Sequence, residues 1–122
     1  MTGYRLLVVD DDRGNCALVS KMLSDQGYEV DVANDGPTAL DMIETNPYDL
    51  VVLDYQMPGM DGVELYRRIS ERHPEIVGVF LTAFTTLDTV YPAIAAGVKR
   101  VLAKPVNRAE LLPLVEEIVG RP

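Results

Sequence analysis

Acidic residues at positions 10 to 12 and 54, a hydroxyl at 82 and an amine at 104 each follow directly on a short apolar run. Leu6-Leu7-Val8-Val9 leads into Asp10-Asp11-Asp12, and Leu50-Val51-Val52-Leu53 into Asp54. Val77-Gly78-Val79-Phe80-Leu81 leads into Thr82, and Val101-Leu102-Ala103 into Lys104-Pro105. Clustered carboxylates bind a hard divalent cation through oxygen. A carboxylate beside such a cation is a nucleophile for phosphorus, and a hydroxyl and an ammonium can hold phosphoryl oxygens. The set suits phosphoryl transfer, provided the fold brings it to one place.

Short apolar runs separated by helix-length amphipathic stretches read as buried strands of a parallel sheet. Ligands on such sheets bind outside the carboxyl ends of the strands, where these polar residues fall. Between the runs, Cys16, Val19, Met22 and Leu23 recur at helical spacing, with Gly27 placed to end the helix. Residues 28–33 read as a second strand, Val30 and Val32 alternating with Glu29 and Asp31. Asn34-Asp35-Gly36-Pro37 turns into a helix carrying Ala39, Leu40 and Ile43, closed by Asn46-Pro47. Asp61 caps a third helix that buries Leu65, Tyr66 and Ile69 and stops before Pro74. A fourth should carry Leu87, Val90, Tyr91 and Ile94 and end at Gly97. A fifth begins at Asn107, spaced from Glu110 as in a capping box, and buries Leu111, Leu112, Val115, Ile118 and Val119. Pro92 and Pro113 fall inside these last two patterns, where each removes a backbone donor. Thr85, Thr86 and Thr89 are also weak helix formers, so the fourth helix is expected to be short, shifted or kinked. Five such units predict an α/β fold, a doubly wound five-stranded parallel sheet with five helices.

The 122 residues are read as one domain, with the folded core running from Arg5 to about Val119. A formal net charge of −8 argues against direct nucleic-acid binding and favours cationic partners or a divalent metal. Cys16, the one cysteine, cannot form an intramolecular disulfide. No charged leader precedes an apolar segment, and no run approaches membrane length. The expectation is a cytoplasmic protein without membrane association.

The segments RLLVVDDD, LVVLDYQMPGMDG, VFLTAF and RVLAKPV resemble, in order and spacing, the markers of the receiver domain of bacterial two-component response regulators. The likeness covers nearly the whole chain and implies a flavodoxin-like fold. It makes Asp54 the phosphoacceptor, with Thr82 and Lys104 binding the phosphoryl group. Asp10 and Asp11 become the acidic pair, Asp11 a direct Mg²⁺ ligand and Asp10 acting through water. The backbone carbonyl of Gln56 would complete the protein's share of the metal site. The implied partner is a sensor histidine kinase or histidine phosphotransfer protein, whose phosphohistidine donates the group and changes the shape of the output face. A downstream output domain or protein would read that change. The resemblance implies a phosphoacceptor that assists its own phosphorylation and dephosphorylation, not an enzyme acting on a separate substrate.

Each residue also has a plainer reading. Asp12 sits where an N-cap of the first helix belongs, but one cap leaves the other acids unexplained. Asp54 has little structural excuse at the end of an apolar strand, since an unpaired buried carboxylate is costly. Thr82 alone is an ordinary strand residue and Lys104 alone an ordinary surface lysine. His73, before Pro74, reads as a cap for helix-end carbonyls, and Cys16 as a core residue. A phosphatase with an aspartyl nucleophile would want a second Asp at position 56, where Gln56 stands. A nucleotide or flavin binder would want a glycine- or hydroxyl-rich loop after the first strand, where three acids would repel phosphate. A phosphorylation-independent interaction module would not need the complete set of Asp10, Asp11, Asp54, Thr82 and Lys104.

Where many receivers carry an aromatic reporter three residues before the lysine, this chain has Val101. The output change is therefore expected mainly in residues 83–96, attached directly to Thr82. Gln56 and Phe84 flank the acceptor at positions that tune acyl-phosphate lifetime in the family. The Lys104–Pro105 bond is expected to be cis, turning the amine into the pocket.

Overall fold

Residues 3–83 and 92–121 are described in the computed structural model. The apolar runs form the strands β1 (Arg5–Val9), β3 (Leu50–Asp54), β4 (Val77–Thr82) and β5 (Arg100–Ala103), and β2 is Glu29–Ala33. All pair in parallel, in the order β2-β1-β3-β4-β5. This is the flavodoxin-like doubly wound sheet. β3 is buried along its whole length, which is why its sequence is continuously apolar rather than alternating.

Alternate side chains of the strands serve two cores. Leu6, Val8, Leu50, Val52, Val79 and Leu81 pack against α1 (Arg13–Ser24) and the C-terminal helix (Arg108–Val119). Leu7, Val9, Val51, Leu53 and Phe80 pack against α2 (Gly36–Thr45) and α3 (Gly62–Arg72). Each of these four helices starts on a side-chain cap that satisfies an otherwise orphaned N–H. The Asp12, Asp35 and Asp61 carboxylates accept from the N–H groups of Asn15, Thr38 and Glu64. Asn107 caps the C-terminal helix through the Ala109 N–H.

Pro113 does not interrupt the C-terminal helix. It lies on the exposed face, where water can solvate the carbonyl that loses its partner. Of the fourth expected helix, residues 92–95 are helical and Gly97 follows at φ +100°. Phe84, Thr85, Thr86, Leu87, Thr89, Val90 and Tyr91 lie outside the described residues, as does most of the segment expected to carry the output change.

Candidate functional site

Sheet register gathers the candidate residues at one edge. Asp54 closes β3 opposite Leu81 of β4, and Thr82 closes β4 opposite Ala103 of β5. Asp10 follows β1 directly, and its N–H donates to the Ala33 carbonyl of β2 at 3.1 Å. Lys104 follows β5, its N–H donating to the Thr82 carbonyl at 2.8 Å, and the Lys104–Pro105 peptide is cis. Residues far apart in sequence therefore share one pocket because their strands are neighbours.

Within it, the Lys104 ammonium bridges two acids. Its Nζ lies 3.1 Å from Asp10 Oδ2 and 3.1 Å from Asp54 Oδ1. Asp10 is 1% exposed, Asp54 7% and Thr82 2%, so water screens these charges poorly. Asp11 lies at the exposed rim. Burial pushes the Asp54 carboxyl up from 3.8 to about 6. The hydrogen bond from Lys104 opposes that rise, the Asp10 charge adds to it, and the Gln56 N–H opposes it in turn. Burial works against the charge on Lys104, but its hydrogen bonds to Asp54 and Asp10 prevail and hold its pKa above the usual lysine value.

One carboxylate oxygen each from Asp10, Asp11 and Asp54 can be chosen so that all lie within 4.8 Å of one another. Three hard anionic donors that close suit a small divalent cation such as Mg²⁺, which accepts oxygen ligands and keeps several waters. Lys104 balances only part of their charge. The donor chemistry therefore fits a metal. Beside it, the loop after Asp54 borders an open cleft of about 370 Å³ lined by Tyr55, Gln56, Met57, Pro58 and Asp61.

Two contributors escaped the sequence reading. Asn15, in the first turn of α1, donates from Nδ2 to Asp10 Oδ2 at 2.5 Å. Gly62 opens α3 so close to the acceptor strand that a Cβ there would stand 2.5 Å from the Asp54 carbonyl oxygen and 3.1 Å from Tyr55 Cα. Its N–H donates to the Tyr55 carbonyl at 2.9 Å. Any side chain would push the loop off the strand end. The signal for Gly62 was its place directly after a helix cap; for Asn15 there was only its spacing from Asp12. Asp12 itself is the α1 cap, its Oδ1 accepting from the Asn15 N–H at 3.1 Å.

His73 lies away from this edge and its ring does not cap carbonyls. Nε2 stands 3.3 Å from Glu44 Oε2 and Nδ1 3.6 Å from Glu75 Oε2, so the ring faces two carboxylates. The backbone N–H of His73 closes α3 on the Ile69 carbonyl. Cys16 is a core residue, 2% exposed, its thiol donating to the Asp10 carbonyl. Among the described residues, no helix is long and apolar enough to cross a membrane.

The sequence model of the response regulator receiver domain matches residues 6–116. The response regulator MprA of Mycobacterium sp. (strain KMS) is 38% identical over 117 residues, covering 96% of this chain and 51% of that protein. The transcriptional regulatory protein ZraR of Klebsiella oxytoca is 36% identical over 115 residues, covering 94% of this chain and 26% of that protein. The chain thus spans about half the length of the first of these relatives and about a quarter of the second. The crystal structure of the Vibrio cholerae chemotaxis protein CheY4 matches with a TM-score of 0.90 at 29% identity, covering 96% of this chain and 99% of that one.

Proposed function

Because the chain belongs to the response regulator receiver domain family, we propose that Asp54 accepts a phosphoryl group in an Mg²⁺-dependent reaction. The donor is the phosphohistidine of a sensor histidine kinase or of a histidine phosphotransfer protein. Two-component signalling is the setting that the family establishes. The assignment of Asp54 rests on one observation above all: its buried carboxylate lies 3.1 Å from the Lys104 ammonium, inside a cluster of acids.

The transfer makes one bond and breaks another. An Asp54 carboxylate oxygen attacks phosphorus while the nitrogen–phosphorus bond of the donor breaks and the imidazole leaves. A carboxylate is a weak nucleophile toward so anionic a group, so catalysis is chiefly positioning and charge compensation. Asp11, Asp54, Asp10 through water and the Gln56 backbone carbonyl would hold Mg²⁺, which when bound would supply positive charge that offsets this repulsion. Lys104 contributes a second positive charge already placed beside Asp54. Once the group has arrived, the ammonium pairs with its oxygens in place of the carboxylate charge that was lost. The Thr82 hydroxyl, at the end of the neighbouring strand, donates to a phosphoryl oxygen. Gly62 and the Gln56 N–H hold the strand end and the acceptor in place.

Residues 5 to about 119 form the folded receiver core, and a downstream output domain or protein reads its phosphorylated state. The protein acts in the cytoplasm, assisting its own phosphorylation and dephosphorylation rather than turning over a separate substrate. Incubation with acetyl phosphate and Mg²⁺, followed by intact-mass and peptide mass spectrometry, tests the reading. Wild type should gain one phosphoryl group on Asp54, and Asp54→Asn none. Equal labelling of the variant, or labelling that persists in chelator, would refute it.

A further inference from the structure

Asp10 is the most deeply buried acid of the site, and its orientation is set from α1. We propose that Asn15 is a positioning residue for metal binding. Its side-chain amide fixes the Asp10 carboxylate so that Asp11 and Asp54 are left to take the divalent cation directly. The inference rests on the phosphoacceptor reading above and adds to it a residue outside the acidic set, Thr82 and Lys104.

Three hydrogen bonds close a ring between the end of β1 and the first turn of α1. The Asp12 N–H donates to Asp10 Oδ1 at 2.9 Å, the Asn15 N–H to Asp12 Oδ1 at 3.1 Å, and Asn15 Nδ2 to Asp10 Oδ2 at 2.5 Å. Only the amide nitrogen can face a carboxylate, since the amide oxygen would be repelled, so the orientation of the Asn15 side chain follows from its partner. The same Asp10 Oδ2 also accepts from Lys104 at 3.1 Å. Both lone pairs of Oδ2 are thereby engaged, and Oδ1 keeps only one. Asp10 is thus held as an oriented anion with limited capacity to ligate a metal itself, which suits a role through water.

The start of α1 does not require this contact. Asp12 already caps the helix through the Asn15 backbone N–H, and the Asn15 side chain points instead to the strand-end acid. The chemistry of an amide also fits. It supplies a hydrogen-bond donor without a positive charge, so it orients Asp10 without repelling a cation nearby. A lysine or arginine there would do the first and fail the second. Partners that orient the carboxylates around a metal typically carry about 10- to 100-fold in metal affinity.

The test uses the full chain with Asn15→Leu, close in size but without a donor, and Asn15→Ala in case the larger side chain disturbs folding. Mg²⁺ binding is measured by calorimetry without any phosphodonor, labelling by acetyl phosphate as a function of Mg²⁺, and stability by urea unfolding in chelator. The Mg²⁺ dissociation constant should rise about tenfold in both variants. The Mg²⁺ concentration for half-maximal labelling should rise by the same factor, while the rate at saturating Mg²⁺ stays at the wild-type level. A lowered urea midpoint with unchanged Mg²⁺ affinity would make Asn15 merely structural and overturn the proposal. Unchanged affinity alongside normal wild-type labelling removes the Asn15 role alone. Wild type that neither binds Mg²⁺ nor is labelled removes the phosphoacceptor reading, and this role with it.

Discussion

Replacing Asp54 by Asn should stabilise the metal-free protein, although the residue is the centre of its chemistry. The fold raises the Asp54 carboxyl from 3.8 to about 6, through burial first, with the Lys104 hydrogen bond opposing and the Asp10 charge adding. A pKa raised in the folded state favours the protonated form. The contribution to stability is therefore complete below about pH 4 and is lost as the pH climbs through about 6. A difference of about 2 pH units corresponds to about 3 kcal/mol at neutral pH. The Asp54 side chain is only 9% exposed, so solvent screening removes little of this. Asn cannot ionise, and its amide oxygen can still accept from Lys104, though more weakly than a carboxylate. We expect Asp54→Asn to gain about 1–3 kcal/mol over wild type at about pH 8 in chelator, and nothing at about pH 4. Urea unfolding followed by far-ultraviolet circular dichroism measures both. Mg²⁺ at tenfold its dissociation constant should return about 1.4 kcal/mol to wild type and narrow the gap. A variant no more stable than wild type at the higher pH would refute the argument, as would a gain that persists undiminished at the lower one.

Three further outcomes follow from packing and capping. A Cβ at Gly78 would lie 2.4 Å from Tyr66 Cε1 and 2.8 Å from Cδ1, so Gly78→Ala should cost about 1–3 kcal/mol in denaturant melts. Adding Tyr66→Leu should cost less than additivity predicts for two independent losses; strictly additive losses would show that the ring is not the obstacle. The Cys16 thiol is pushed up to about 11 by burial and then by the Asp10 charge, so it stays protonated in the folded protein. It should resist a disulfide reagent at about pH 8 and react fully in urea, because the thiolate is the reactive form; rapid labelling of the native protein would contradict this. Asp61→Ala removes the carboxylate that accepts the Glu64 N–H at 2.9 Å and should cost about 1 kcal/mol, read as a lowered urea midpoint.

Much of this protein is determined by its sequence taken alone. Strands buried on both faces must be apolar throughout, so Leu50 to Leu53 and Val77 to Leu81 are legible, and the polar residue ending each run marks the edge where chemistry can occur. Caps are legible for a related reason: Asp12, Asp61 and Asn107 act on N–H groups two or three residues away, within reach of local spacing. Contacts between elements are not encoded at that range. Lys104 could meet both Asp10 and Asp54 only because β1 and β3 are neighbours and β5 returns two places away, an order that no local pattern states. The Asn15 amide reaches Asp10 through the angle at which α1 leaves β1, and the His73 ring finds Glu44 across the gap between α3 and α2. Gly62 and Gly78 are required by neighbours, the Asp54 carbonyl and the Tyr66 ring, that only the folded chain brings within a Cβ of them. Hydrophobic periodicity is a one-dimensional signal that selects elements and their buried faces. The partners of a charged or small side chain depend on how those faces stack, and that is decided in three dimensions.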